Sequence, residues 1–342
     1  MSDLRTTTLL MGFRRRRLRW TFSTSLLMII VFVLSCMALV LGNTIYPLST
    51  VLSVLGGESI QGATFSIYTL RLPRMLTGLF VGLAFGIAGS TFQNLLRNPL
   101  ASPDIIGITS GSSIAAVFCI LILGLSGPLV SIAAVISGLL VALVIYLLSR
   151  SGGFSGGKLI LIGIGIQAMI QSAISYLILR SNQNDIPSAL RWLSGSLNGV
   201  RLSALPGLVI IVLIFSSLII LLGGHLRILE LSEQTATSLG VPTDLIRLLL
   251  VLSGVFLIAY ATAVTGPIAF VSFLSGPIAK KWVGRGLPSE FPAGLIGAIL
   301  VLGSDLIGQY AFSTRFPVGV ITGILGSPYL LYLIIRMNRQ GG

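Results

Sequence analysis

The feature that most constrains this chain is its long runs of apolar residues without any charge. Residues 26–41 and 205–222 contain no Asp, Glu, Lys or Arg. A membrane-spanning helix needs about 20 apolar residues, whereas a transmembrane strand alternates apolar and polar residues. These runs do not alternate, so they indicate membrane-spanning helices. Only 9% of the residues are charged, against about 25% in soluble domains, which excludes a soluble fold.

Ten apolar spans can be traced with a window of about 19 residues. They lie near residues 22–42, 72–95, 103–124, 128–149, 158–180, 204–223, 245–264, 267–283, 291–312 and 317–335. The sequence therefore predicts an all-α, polytopic membrane protein with ten transmembrane helices. Residues 1–21 are expected to form a basic cytoplasmic segment, residues 22–335 one transmembrane domain, and residues 336–342 a cytoplasmic tail.

The net charge of +13 is better explained by a membrane than by nucleic acid, because the basic residues lie between apolar spans. If the N-terminus is cytoplasmic, ten spans return the C-terminus to the same side. Sixteen of the 22 Lys and Arg residues then lie inside, in agreement with the positive-inside rule. A basic start followed by an apolar run also fits a secretory signal. The run is long and no small-residue cleavage site follows it, so we expect a retained first helix.

Three connections between spans are long enough to hold structure. Residues 43–69 and 181–203 are expected outside, and 186–197 could form a short surface helix. Residues 225–244 are expected inside and carry Glu230, Glu233 and Asp244. Helix is predicted from about residue 229 to 239, with Gly240 as the stop and Pro242 beyond it. Such a cytoplasmic helix is a candidate lever for a partner protein.

Glycine patterns inside the spans predict close helix packing and a candidate path. Gly78, Gly82 and Gly86 recur every four residues, a spacing that lets helix backbones approach closely. A second group combines glycines with polar amides and could line a water-filled path for a solute. Its members are Gly163, Gly165, Gln167 and Gln171.

Catalytic and metal-binding patterns are absent from the sequence. The chain has one histidine, His225, and no His, Cys or carboxylate cluster with the spacing of metal ligands. Asp104 is expected to cap the third span, and Asp305, an acid inside the ninth span, is a functional candidate by default. There is no Walker A sequence, so any ATP must be hydrolysed by a partner chain. We expect a chain that is not an enzyme and that binds no cofactor or metal itself.

Several ordered motifs resemble the FecCD permeases, the membrane subunits of ATP-driven importers for ferric siderophores, haem and cobalamin. They begin with Arg71-Leu72-Pro73-Arg74, Gln93 and the segment 97–103, and continue with the polar loop around Glu233 and Gly240. Two later segments, 265–271 and 316–322, complete the set. The resemblance implies two permease subunits around a central path, two cytoplasmic ATPases that bind ATP and Mg²⁺, and an external substrate-binding protein. It also implies the bacterial cytoplasmic membrane as the location.

The resemblance assigns roles to two groups of residues. Arg71 and Arg74 fall where the family's external arginines pair with glutamates of the binding protein, and Arg315 and Arg191 are weaker candidates for that docking. Arginine suits such docking because it pairs with carboxylates through two parallel hydrogen bonds. The alternative is that these arginines only anchor a helix end among lipid head groups. The ATPase-coupling residues implied by the resemblance are Glu230, Glu233, Ala236, Ser238, Leu239, Gly240 and Val241.

One departure from the family pattern concerns the segment after residue 270. Where many members carry Pro-His, this chain has Gly276 and Pro277. A divergent copy of this kind favours a heterodimer with a non-identical sister permease. Residues 161–169 resemble the catecholate-siderophore permeases, so a ferric siderophore is the expected cargo. A cobalamin or haem importer and a stand-alone ion-coupled carrier remain as alternatives.

Overall fold

The computed structural model describes residues 2–103, 107–150, 156–284 and 286–340, and the regular elements in these ranges are helices. In chain order the α-helices are α1 (Ser2–Val40), α2 (Leu48–Leu55), α3 (Leu72–Leu95), α4 (Ile108–Leu121), α5 (Pro128–Arg150), α6 (Gly156–Arg180), α7 (Ile186–Leu193), α8 (Leu205–Leu231), α9 (Glu233–Ser238), α10 (Thr243–Thr265), α11 (Val271–Val283), α12 (Glu290–Tyr310) and α13 (Val318–Gln340). A π-helical turn, Phe65–Arg71, leads into α3. The all-α prediction is confirmed.

Eight helical segments in the described ranges are long and apolar enough to cross a membrane. They are Arg14–Val40, Phe65–Leu95, Pro128–Ser149, Gly156–Arg180, Leu202–Leu231, Thr243–Thr265, Glu290–Tyr310 and Val318–Ile335. The chain is thus a multi-pass membrane protein. The other two predicted spans correspond to shorter helices, α4 with 14 residues and α11 with 13.

The connections contain more helix than the sequence predicted. Helix α1 begins at Ser2 and runs through the basic N-terminal residues into the first predicted span. The first external connection holds α2 and the π-helical turn. The surface helix predicted for residues 186–197 is present as α7 but ends at Leu193. Asp104 and Arg285 lie outside the described residues.

Helix α3 is at the centre of the fold and packs against α8, α10, α11 and α12. Its glycines permit this packing, since a Cβ on Gly82 would meet the backbone of Ala298 and one on Gly86 the carbonyl of Ala293. Both neighbours are on α12, so the predicted close packing is confirmed. Because lipid is as apolar as the side chains, such backbone contact is a main source of helix association in membranes.

Candidate functional site

Three of the four arginines predicted to face an external binding protein lie around one cavity of about 250 Å³. Arg71 is the last residue of the π-helical turn, Arg74 lies in the first turn of α3, and Arg315 lies in the connection between α12 and α13. The other predicted docking residue, Arg191, is on α7 and does not line this cavity. The structure thus brings together three residues that are up to 244 positions apart in sequence.

The guanidinium of Arg71 donates hydrogen bonds to backbone carbonyls of its own chain. Its Nη1 donates to the carbonyl oxygens of Leu39 at 2.8 Å and Val40 at 2.9 Å, and its Nη2 donates to Thr44 O at 2.6 Å. Its guanidinium also lies 5.0 Å from the ring centre of Tyr46. The last carbonyls of a helix have no partner within the helix, so Arg71 caps the C-terminus of α1.

Arg74 forms a two-pronged ion pair with Asp305 on α12. Nε donates to Oδ2 at 2.9 Å and Nη2 to Oδ1 at 2.8 Å, and the Asp305 side chain is only 5% exposed. Gln309 donates to the same carboxylate at 2.6 Å, and Arg74 Nη1 donates to Asn198 Oδ1 at 3.4 Å. The acid that the sequence placed inside a span is therefore neutralised, and Arg74 keeps part of its Nη1 and Nη2 edge for a further partner.

Arg315 has fewer contacts than the other two arginines. It is exposed, and its Nη2 donates to Asn43 Oδ1 at 2.6 Å. Of the three, Arg315 is thus the most available to an incoming carboxylate and Arg71 the least. Its docking role and that of the other two remain predictions.

The segment predicted to form a cytoplasmic lever contains two helices, α8 and α9, which are separated at Ser232. The sequence predicted continuous helix over 229–239, whereas Ser232 is extended, with φ −167° and ψ 158°. Its Oγ accepts a hydrogen bond from Thr235 N at 2.8 Å, which caps α9. Ser is a strong N-cap residue because this bond satisfies a free helical N–H, so α9 begins as an independent helix.

The end of α9 is fixed by a Schellman motif at Gly240. Gly240 has φ +78°, and its N–H donates to Thr237 O at 2.9 Å. The N–H of Val241 donates to Ala236 O at 3.0 Å. Glycine adopts this left-handed conformation without the cost that a Cβ imposes. The predicted stop at Gly240 is confirmed.

One side of α9 is fastened to the protein and the other is free. Ala236 and Val241 are buried in the main core, and Glu233 Oε2 lies 3.1 Å from Nη2 of Arg247 on α10. Ser238, Leu239 and Gly240 are exposed, while Glu230 at the end of α8 is half-buried. Leu239 is 64% exposed and therefore offers an apolar side chain on the free side of α9.

The candidate path residues all lie on α6. Gly163 is buried, whereas Gly165, Gln167 and Gln171 are exposed, and a Cβ on Gly165 would meet nothing within 4 Å. Ser172 and Ser175 extend the exposed polar surface toward the end of the helix. Polar side chains inside the membrane are costly when they face lipid. This stripe therefore needs another protein surface or a water-filled path beside it.

The departure at Gly276 and Pro277 is explained by Gln93 on α3. Pro277 lies inside α11 and has no N–H, so it leaves the carbonyl of Phe273 without its helical partner. Gln93 Nε2 donates to that carbonyl at 3.0 Å. A Cβ on Gly276 would overlap the Gln93 amide, so glycine makes room for the bond. The sequence pattern of Gly-Pro and Gln93 thus forms one structural unit.

Sequence reasoning missed the partners that hold these sites. Asn198 and Gln309 gave no signal of their own, although Gln309 lies one helical turn after Asp305. Arg247 could have been noticed as a basic residue three positions after Asp244, to which it also pairs at 3.6 Å. Its stronger contact with Glu233 could not have been found without the fold.

The profile of the FecCD transport family matches residues 27–336. The chain belongs to this family. It is accordingly a transport protein with several membrane spans, located in the cytoplasmic membrane.

Relatives of this FecCD member align over most of its length. The ferric enterobactin transport system permease protein FepG of Escherichia coli is 35% identical over 85% of this chain and 89% of its own. The achromobactin transport system permease protein CbrC of Dickeya dadantii is 34% identical over 92% and 91%. The Fe(3+)-citrate import system permease protein YfmE of Bacillus subtilis is 31% identical over 94% and 96%.

A solved structure has the same fold as this FecCD chain. It is described as an inward-facing conformation of a metal-chelate type ABC transporter. It superposes with a TM-score of 0.80 at 27% identity, covering 92% of this chain and 98% of the other.

Proposed function

We propose that this chain is the permease subunit of an ABC importer that carries a ferric siderophore into the cytoplasm. The exposed, doubly capped helix α9 carries this proposal, because a stand-alone carrier has no need of a rigid cytoplasmic helix. An ATPase groove would receive its free side, which includes Ser238 and Leu239. The cargo is inferred from relatives whose names specify ferric enterobactin, achromobactin and ferric citrate.

The complete importer would contain partners for each predicted site. An external binding protein would dock near Arg74 and Arg315, and two ATPase subunits would bind ATP and Mg²⁺, with none bound by this chain. A second permease would cover the polar stripe of α6, so that the path lies between subunits. Gly276 and Pro277 favour a non-identical sister chain.

Ten membrane crossings with both termini inside also belong to this proposal. Helices of 14 and 13 residues rise about 21 and 20 Å, less than the roughly 30 Å hydrocarbon core. Irregular backbone at membrane depth is tolerated where protein surrounds it. Ala101, Ser102 and Gly107 before α4 are buried, as is Ile268 before α11, which supports two short crossings completed by buried loops.

Leu239→Asp tests the role of α9. We expect it to prevent copurification of the ATPase and to reduce uptake of ⁵⁵Fe-labelled chelate at least tenfold, because it places a charge in an apolar contact. Leu52→Asp on α2 is the matched control, since Leu52 is 61% exposed but lies on the side proposed as external. Normal ATPase recovery and uptake with Leu239→Asp would contradict the importer assignment.

A further inference from the structure

Arg97 adopts a backbone conformation that normally belongs to glycine. It follows the end of α3 with φ +51°, and only one other non-glycine residue in the described ranges, Phe270, has positive φ. Its N–H donates to Asn94 O at 3.2 Å, and the N–H of Asn98 donates to Gln93 O at 3.0 Å. These two bonds define a Schellman motif with Arg97 in the left-handed position, where glycine is usual and a Cβ is strained.

The side chain of Arg97 supplies a reason for this strained choice. Nε and Nη2 donate to the carbonyl oxygen of Leu229 at 3.2 and 2.5 Å. Leu229 lies in the last turn of α8, where carbonyls have no helical N–H to accept. The cationic side chain also complements the negative end of the α8 dipole. Glycine could form the turn after α3, but it could not make this link.

The link joins the centre of the fold to the base of α9. Leu229 is three residues before Ser232, the N-cap of α9, and both Leu229 and Ala236 are in the main core cluster. Arg97 therefore ties the α8–α9 junction directly to α3, the helix packed against α8, α10, α11 and α12. The Glu233–Arg247 ion pair fastens the same region to α10.

We propose that Arg97 is a positioning residue for energy coupling, which passes displacement of α9 to the central helix α3. The inference rests on the proposed function, because it takes the displacement of α9 to come from a partner ATPase. With the Arg97–Leu229 hydrogen bond in place, a displacement of α9 would also move α3. Without this bond, the end of α8 would bend and α3 would stay where it is. The protein thus tolerates a strained backbone at Arg97 because the side chain of this residue transmits motion.

Arg97→Gly is the informative variant because it relieves the backbone while removing the side chain. Arg227→Ala is the matched control, since Arg227 lies near the same end of α8 but donates only to Gly223 O of its own helix. In the purified full-length chain, hydrogen exchange over residues 229–241 should accelerate about tenfold with Arg97→Gly, as loss of a charge-assisted hydrogen bond implies. It should stay near wild type with Arg227→Ala. Unchanged exchange with Arg97→Gly would overturn the link, whether or not an ATPase exists.

The complete transporter, purified and reconstituted, then tests coupling. We expect Arg97→Gly to retain its ATPase subunits and its Tm, to hydrolyse ATP, and to transport at least tenfold less chelate per ATP. Arg97→Lys should recover part of the ratio, because one ammonium can still reach the carbonyl. A wild-type ratio with Arg97→Gly, or loss of assembly or Tm, would overturn the coupling role. If wild-type uptake itself does not depend on ATP, the proposed function fails, and the exchange result alone decides whether Arg97 holds the α8–α9 junction.

Discussion

Asp305 is a buried carboxylate on helix α12, and the guanidinium of Arg74 balances its charge. An isolated acid inside a membrane span suggests a proton or ion site, but here Arg74, Gln309 and the fold around them leave it neutralised and buried. Breaking a buried ion pair by removing one partner is more costly than removing both, because the remaining charge loses its compensation. We therefore interpret the pair as a fixed structural support beside the cavity that Arg71, Arg74 and Arg315 line.

This view predicts a strong coupling between the two residues. We expect Arg74→Leu to lower the free energy of unfolding by about 3 kcal/mol, because it leaves the Asp305 carboxylate without its cation. Adding Asp305→Asn should restore part of the loss. Denaturant unfolding in detergent measures both, with Arg180→Leu as an exposed control. Additive effects of the two substitutions would show that the ion pair does not stabilise the fold.

Single residues also show where sequence reasoning ends. The motifs placed Arg71, Arg74 and Gln93 in the correct segments, since their types and spacing are local. The hydrogen-bond partners of these residues are 27 to 231 positions away, and no local sequence pattern points to such contacts. The left-handed Arg97 could not be predicted either, because residue type favours glycine at that position.

At the scale of an element, α11 shows how one helix tolerates an internal proline. Gln93 replaces the missing backbone donor, and its amide occupies the space that Gly276 leaves open. The replacement comes from α3, so the two helices are joined at a point where the backbone of α11 would otherwise be unsatisfied. In a membrane, where water cannot substitute, this contact matters more than in a soluble protein.

A double-substitution series tests that contact. Gln93→Leu should destabilise the protein by about 1–3 kcal/mol, because it leaves the buried carbonyl of Phe273 without a donor. Pro277→Ala restores a backbone N–H for the same carbonyl, so Gln93→Leu should cost much less in that background. Thermal unfolding of the four variants gives the answer. An equal cost in both backgrounds would mean that the hydrogen bond is not what Gln93 contributes.

The break between α8 and α9 could not be predicted from the periodic pattern of apolar and polar residues. The predicted helix over 229–239 had the correct end at Gly240, because glycine stops are local signals. Its interior was wrong, since Ser232 can either continue a helix or cap a new one. Arg97 contacts the end of α8 and Arg247 contacts the start of α9, on either side of Ser232. Neither contact was predicted from the sequence.

For the whole molecule, the all-helical class followed from the apolar runs, and the family from motifs spread over the chain. The number of crossings did not follow as firmly, because α4 and α11 are too short to be recognised by length alone. Helix α11 packs against α3 and α12, whereas α4 packs against α5, α6 and α10, so the burial of each is a property of the assembled fold. The polar face of α6 similarly requires a partner surface or a water-filled path, which a single chain does not provide.

Among the arginines that line the cavity, we expect Arg315 to contribute to docking and Arg71 to contribute to stability. We expect Arg315→Glu to weaken binding of an acidic binding protein about tenfold or more at low salt and to reduce its salt dependence, because opposite charges at a rim steer association. Its Tm should be nearly unchanged. Arg71→Glu, in contrast, should lower Tm strongly, because it uncaps α1. Binding affinity and Tm should be measured for both variants. Normal binding of the partner by Arg315→Glu would contradict a docking role for Arg315.

Arginine side chains that cap the helices of other segments also set an order for biogenesis. The partner of Arg71 on α1 precedes it by 32 residues, so it is already synthesised. The partner of Arg97, Leu229, is synthesised 132 residues later. The partner of Arg19, the carbonyl of Trp282 at the end of α11, is synthesised 263 residues later. At synthesis rates of about 5–20 residues per second, the last interval lasts on the order of 13–53 s. During that time the C-terminal end of α1 can already hold its contact with Arg71, while Arg19 still lacks its partner in α11. Within the described residues, the part of α1 around Arg19 is thus among the last to acquire its native contacts, and a ribosome that stalls before α11 would leave that part without them.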